Sequence, residues 1–174
     1  ECQGTTANNS APAASGGDSG NDGTITIGAT GTYTSAGTCG SGTASEAWNG
    51  GTTGKINASL GFDGTDDYAD TGDLSFTESQ SQLSWSMWVN PTALTTIDCI
   101  YCKFNGGATQ TSWAVETGTA NSSVVLVGIP TTTSDGNTYG ETPAGALVVG
   151  QWSHIVAVFD GTLTGNVNRH KVYI

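Results

Sequence analysis

Alternation of apolar and polar positions is the dominant pattern of this chain. Over residues 55–62 the apolar side chains fall at Ile56, Ala58, Leu60 and Phe62, a period of two that predicts a half-buried strand. Asp63-Gly64 follows with turn chemistry, and Asp66-Asp67-Tyr68 leads into a second short strand, so this stretch is expected to form a β-hairpin or β-corner. Leu83, Trp85, Met87 and Val89 share one face with Trp88 on the other, and Trp152, His154, Val156 and Val158 alternate with Ile155, Ala157 and Phe159. Both runs are expected to be strands covered on both sides, which makes His154 a packed core histidine. Residues 24–27, 97–104, 112–116, 123–129 and 168–174 complete the predicted strands, with Pro130 and Pro143 punctuating the loops between them.

Composition sharpens the fold class. Gly supplies 26 of the 174 residues and charged residues only 11%, so helix formers are few, turns are many, and an all-β domain is expected. Residues 1–17 are polar and small-sided without periodicity, which predicts a linker or N-terminal arm. Residues 18–174 are expected to form the domain. Four Lys and Arg against fifteen Asp and Glu leave a formal net charge of −11, which disfavours nucleic acid and anionic lipid as partners. No apolar run approaches the roughly 18 to 20 residues of a membrane helix, so direct membrane insertion is not expected of this segment.

Four cysteines, Cys2, Cys39, Cys99 and Cys102, allow three pairings. Structural disulfides are the expected state, with Cys2 to Cys39 and Cys99 to Cys102 as the pairing. The second bridge requires a turn or bulge, because side chains three apart on a regular strand point to opposite faces. Metal ligation and free or redox-active thiols are the alternatives for the Cys99-Ile-Tyr-Cys102 motif. A zinc site needs about four Cys or His ligands, and His154 and His170 sit in strand patterns. Disulfides point to an extracellular or cell-surface location.

Three blocks carry a resemblance. Gly54, Lys55, Leu60, Phe62, Asp63, Gly64, Asp66, Asp67, Tyr68 and Gly72 form the first, residues 83–91 (LSWSMWVNP) the second, and residues 150–161 (GQWSHIVAVFDG) with 171–174 (KVYI) the third. In this order and spacing they resemble the laminin-G-like, concanavalin A-like lectin/glucanase family. The resemblance implies a two-sheet antiparallel β-sandwich of jelly-roll type, with strands beyond Ile174. The sandwich is therefore expected to be incomplete at its C-terminal end, its remainder lying on a longer chain or coming from a neighbouring subunit. Residues 31–54, carrying Cys39 and Trp48, depart from the family as a Gly/Ser/Thr-rich insertion. They are expected to be a solvated excursion pinned by a disulfide, with contact to a partner as the alternative. Residues 18–25 are similar to the family's opening segment, and the resemblance implies Asp18 and Asn21 as calcium ligands whose late acidic partner is not in this sequence.

Candidate chemistry is sparse. Asp63, Asp66, Asp67 and Asp70 form a second cation candidate by charge, with turn formation as the competing role of Asp63 and Asp66. Retaining glycoside hydrolysis needs two carboxyls about 5 Å apart, and the resemblance would place them in a Glu-x-Asp-x-x-Glu strand. No such motif occurs, nor a Gly-x-Ser-x-Gly elbow, so the chain is expected not to be an enzyme. Sugar binding needs an exposed aromatic platform. Trp48, Trp113 and Tyr139 are the candidates, with Tyr33 beside them and burial as the competing fate. Asn8, Asn57 and Asn121 open glycosylation sequons. Two readings follow: a non-catalytic extracellular module that recognises a glycan or surface protein ligand from a larger surface protein, or a structural subunit that self-assembles into a filament, surface layer or virion.

Overall fold

The computed structural model describes residues 4–8, 22–39, 41–48, 54–56, 58–77, 80–94, 96–103, 113–118, 124–127 and 139–174. The chain divides into two compact units, Glu1–Ser75 and Phe76–Ile174.

In the first unit β1 (Thr6–Ala7), β2 (Gly23–Thr26) and β3 (Tyr68–Asp70) form one antiparallel sheet in that order. The predicted strand at residues 24–27 is thus present, and its Ile25 is buried. Thr6 and Ala7, within the expected linker, pair with Thr24 and Gly23. The predicted hairpin does not form. Residues 55–62 contain no strand among those described, and Ile56 and Phe62 are exposed. The second short strand exists, but Tyr68 to Asp70 pairs with β2 instead. The backbone around the alternating run is engaged elsewhere: the Gly61 N–H donates to the Ala47 carbonyl at 2.8 Å, so alternation alone did not secure a partner strand.

The described residues of 31–54 are mostly exposed or half-buried and Cys39 is disulfide-bonded, as expected of a pinned excursion, and they also bond one another. Ser35 bridges Glu46, and the Ala47 and Trp48 amides donate to the Ser35 and Ala36 carbonyls, each at 3.0 Å. Small side chains permit that closeness, and Ala36 and Ala47 are buried.

The second unit is an antiparallel β-sandwich. One sheet has the order β10 (His170–Tyr173), β9 (Ser153–Asp160), β4 (Gln82–Val89), and the other β5 (Cys99–Lys103), β6 (Trp113–Thr117), β7 (Val124–Val127), β8 (Tyr139–Glu141). These match the strands expected from alternation, with β8 added and a helical turn, α1 (Asn166–Arg169), leading into β10. The core lies between the sheets. Trp85 of β4 meets Trp113 of β6 with ring centroids 5.0 Å apart, and Tyr101 of β5 meets Trp113 edge-on at 4.9 Å. Ile155, Ala157 and Phe159 of β9 are fully buried, as are Val115, Val124 and Leu147. Fully burying side chains of this size stabilises the unit by about 1.5–3 kcal/mol each.

His170 is a titratable resident of this core, 4% exposed. Its ring packs on Phe159 at 5.2 Å, and its Cβ occupies the space a Cβ at Gly140 would need. Burial lowers its pKa below the ordinary 6.5, opposed by the Asn166 carbonyl and assisted by the charge on Arg169. The folded chain therefore takes up this proton less readily than the unfolded chain. His170's share of the stability is whole above pH 6.5 and is lost as pH falls through the folded value. The urea midpoint is expected to drop between pH 7.5 and pH 5, and His170→Leu is expected to flatten that drop.

The bridge between Cys99 and Cys102 is present, and so is the irregularity it requires. In β5, Cys102 pairs with Ala114 and Tyr101 with Val115, but Cys99 faces Glu116, leaving Ile100 as an extra residue. This bulge brings both cysteines to the face of the sheet that carries Ala114 and Glu116. Burial raises the pKa of Glu116 there. Cys39 is also disulfide-bonded, while Cys2 lies outside the described residues.

Candidate functional site

The site that stands out is on the outer face of the β10-β9-β4 sheet. Along β4 the inward positions are Leu83, Trp85, Met87 and Val89, and the outward ones are Gln82, Ser84, Ser86 and Trp88, all exposed. Trp88 pairs with His154 across the strands. The two rings stack at 4.8 Å with an interplanar angle of 25°. His154 is itself fixed, its Nε2 lying 2.8 Å from Ser86 Oγ on the neighbouring strand. Three side chains thus hold one another, and such an aromatic pair contributes about 0.5–1.5 kcal/mol beyond its buried area. The consequence is a pre-organised flat indole, 39% exposed, on a polar face. The register carries the row onward: Ser86 faces Val156, which faces Tyr173 of β10, 56% exposed. At the other end Gln82 donates to Asp160 at 3.0 Å. The hydroxyl of Thr162 and then Gln82 hold the Asp160 carboxyl below its usual range.

His154 is therefore not the packed core residue expected from alternation; it is exposed. The missed signal was on the page of the sequence. Gln82, Ser84 and Ser86 share a face with Trp88, and three polar residues in alternate positions mark solvent. Ser86 and His154 have the spacing of a nucleophile and its base, but among the described residues no carboxylate bonds the other ring nitrogen to orient the imidazole, as a triad has.

The expected aromatic platforms have other employment. Trp113 is 1% exposed and donates from Nε1 to Thr77 Oγ1 at 3.3 Å, so it is core. Trp48 is half-buried, and its indole N–H donates to the Gly4 carbonyl at 3.1 Å, tying the N-terminal segment down. Tyr33 is half-buried against the backbone of Gly61. Tyr139 is exposed, on β8 rather than in a loop. Asp18 and Asn21, the calcium ligands implied by resemblance, lie outside the described residues, as do Asn57 and Asn121.

The acidic cluster of the first unit is a backbone clamp. Asp66 Oδ2 accepts the Ala29 amide at 3.0 Å and the Thr30 hydroxyl at 2.8 Å. Asp63 Oδ2 accepts the Thr32 and Tyr33 amides at 2.7 and 3.1 Å, and Asp67 Oδ1 the Gly28 amide at 3.0 Å. The Tyr33 amide is the leading cause of a lowered Asp63 pKa. Oxygens of Asp63, Asp66 and Asp67 lie within 4.8 Å of one another, yet they are chiefly occupied by groups of residues 28–33, and Asp63 also forms a turn of its own, its Oδ1 accepting the Thr65 amide at 3.0 Å. The expected fourth member, Asp70, accepts the nearby Gly72 amide at 2.8 Å and is not part of the cluster. Gly28 and Gly31 make the clamp sterically feasible, since a Cβ on Gly28 would fall 1.9 Å from Asp66 Cγ and one on Gly31 2.2 Å from Asp63 Oδ2.

No helix among the described residues is long and apolar enough to cross a membrane. No curated protein and no solved structure matches the chain. A family model does: the concanavalin A-like lectin/glucanases superfamily, in its laminin-G form, over residues 63–174. That span runs from the carboxylate clamp through the whole sandwich of the second unit, and by it the chain belongs to the laminin-G-like branch of the concanavalin A-like lectin/glucanase superfamily.

Proposed function

We propose that the protein is a non-catalytic recognition module, displayed outside the cell on a larger surface protein, that binds neutral glycan on the outer face of the β10-β9-β4 sheet. The observation that carries this reading is the exposed indole of Trp88, held flat by His154, with the Ser86 hydroxyl on the same face beside that pair. A pyranose presents an apolar C–H face to an aromatic ring and hydroxyls at its edge, and this surface offers the complement of both. The net charge of −11 disfavours sulfated or sialylated chains. Disulfide-bonded Cys39, Cys99 and Cys102 support an oxidising compartment.

The test is a neutral-glycan array followed by titration of the best ligand. Trp88→Ala is expected to cost about 2 kcal/mol of binding, roughly 30-fold in Kd, as truncating an anchoring Trp does, while stability falls by about the 0.5–1.5 kcal/mol of its stack on His154. His154→Ala is expected to weaken binding less, by loosening the indole. Undiminished binding by Trp88→Ala would move the site elsewhere.

A further inference from the structure

We propose that the Cys99–Cys102 bridge is a reversible thiol–disulfide exchange site, and that its redox state sets whether β5 keeps its bulge. A bridge between residues three apart closes the shortest of loops, so it restricts the unfolded chain very little. What it restricts is local. Without the extra residue at Ile100 the two cysteines would point to opposite faces of the strand; with it they share the outer face. The oxidised bond and the bulge therefore require each other.

The bulge separates two sets of contacts. Downstream of it Tyr101 stands opposite Val115 on the inner face and packs edge-on against Trp113. Upstream, the Asp98 amide donates to Thr117 Oγ1 at 2.8 Å, the Thr117 hydroxyl donates to the Thr96 carbonyl at 3.0 Å, and the Thr117 amide donates to the Asp98 carbonyl at 2.9 Å. If Ile100 re-entered the ladder, residues 96–99 would slip by one position, Cys99 would face Thr117, and this clasp would break. Reduction permits that slip and oxidation forbids it.

Position makes the bond reachable. β5 is the outermost strand of its sheet, and Cys99 is exposed whereas Cys102 is half-buried beside the Val115 carbonyl. A thiolate of a dithiol reductant attacks Cys99 Sγ, and Cys102 leaves as thiolate and takes a proton. The second thiol of the reductant then closes on the first sulfur and expels Cys99, which is protonated in turn. Two electrons and two protons pass from the dithiol to the pair.

The experiment titrates the native protein with dithiothreitol, alkylates the freed thiols, and locates them by mass spectrometry alongside backbone hydrogen exchange. The expected result is that Cys99 and Cys102 are freed at a reductant concentration about tenfold below that freeing Cys39. Exchange over residues 96–103 and 113–117 should rise about tenfold while β9 stays protected, and both changes should reverse on reoxidation. Release of the pair only together with Cys39, only on global unfolding, or with no change in exchange over 96–103 overturns the proposal. The double variant Cys99→Ser, Cys102→Ser should show the reduced pattern without reductant. If it exchanges like the oxidised protein, the bridge does not hold the bulge.

Discussion

Trp113→Ala is expected to destabilise the second unit by about 3–5 kcal/mol, the cost of emptying a large aromatic site in a packed core. Small domains hold only about 5–15 kcal/mol in total, so this variant sits at the edge of folding. The reason is specific to its neighbours. The indole is the meeting point of both sheets, touching Trp85 across the sandwich and Tyr101 along its own sheet, so removing it leaves two rings facing a void. It also leaves the 5% exposed hydroxyl of Thr77 without its indole donor. Trp113→Phe should cost less, retaining a ring but losing that hydrogen bond, worth about 0.5–1.5 kcal/mol. Urea denaturation followed by circular dichroism measures both. Trp88→Ala is the internal reference: it forfeits the stack on His154, about 0.5–1.5 kcal/mol, and should fall well short of the loss at Trp113. A Trp113→Ala protein as stable as wild type would mean that the indole is not core.

The contrast between these two tryptophans measures how much of the molecule was legible from sequence. Fold class and the existence of strands at residues 82–89 and 153–160 follow from period-two patterning, whereas the pattern implied cover on both sides and did not single out Ile155, Ala157 and Phe159 as the one buried face. Even the bulge at Ile100 was implied by the three-residue spacing of the cysteines. The site was not legible in the same way. Trp113 lies outside the three family-like blocks, so the sequence leaves it open between platform and core; what decides is its packing on Trp85, 28 positions earlier in the chain. Trp88 was assigned to a covered face although its alternate neighbours are Gln82, Ser84 and Ser86. Its partner His154 is 66 positions away, brought opposite by register alone. Local pattern reports which face a residue is on; which face is covered depends on strand pairing that the pattern does not contain.

The same limit explains the first unit and yields the second large effect. Residues 55–62 alternate well but form no strand among those described, while the Asp-rich turn after them organises the chain through side-chain to backbone bonds. Gly28→Ala is expected to undo that organisation. The new methyl would have to displace the Asp66 carboxylate, whose Oδ1 is already sequestered without a partner and whose Oδ2 accepts from Ala29 and from the Thr30 amide and hydroxyl. Moving it strips the acceptor from the amides of Ala29 and Thr30, both at exposed positions that water can reach, so the loss is about 0.5–1.5 kcal/mol for each bond, about 1–3 kcal/mol together. Hydrogen exchange should show the effect first at residues 28–33 and then in β2 and β3, which flank the clamp in sequence. Asp66→Asn at unmutated Gly28 separates the causes: it keeps the shape and one acceptor oxygen while removing the charge, and should be much milder. If Gly28→Ala leaves exchange at residues 28–33 unchanged, the carboxylates are not what holds that loop, and the alternation of residues 55–62 would again need a partner strand to explain it.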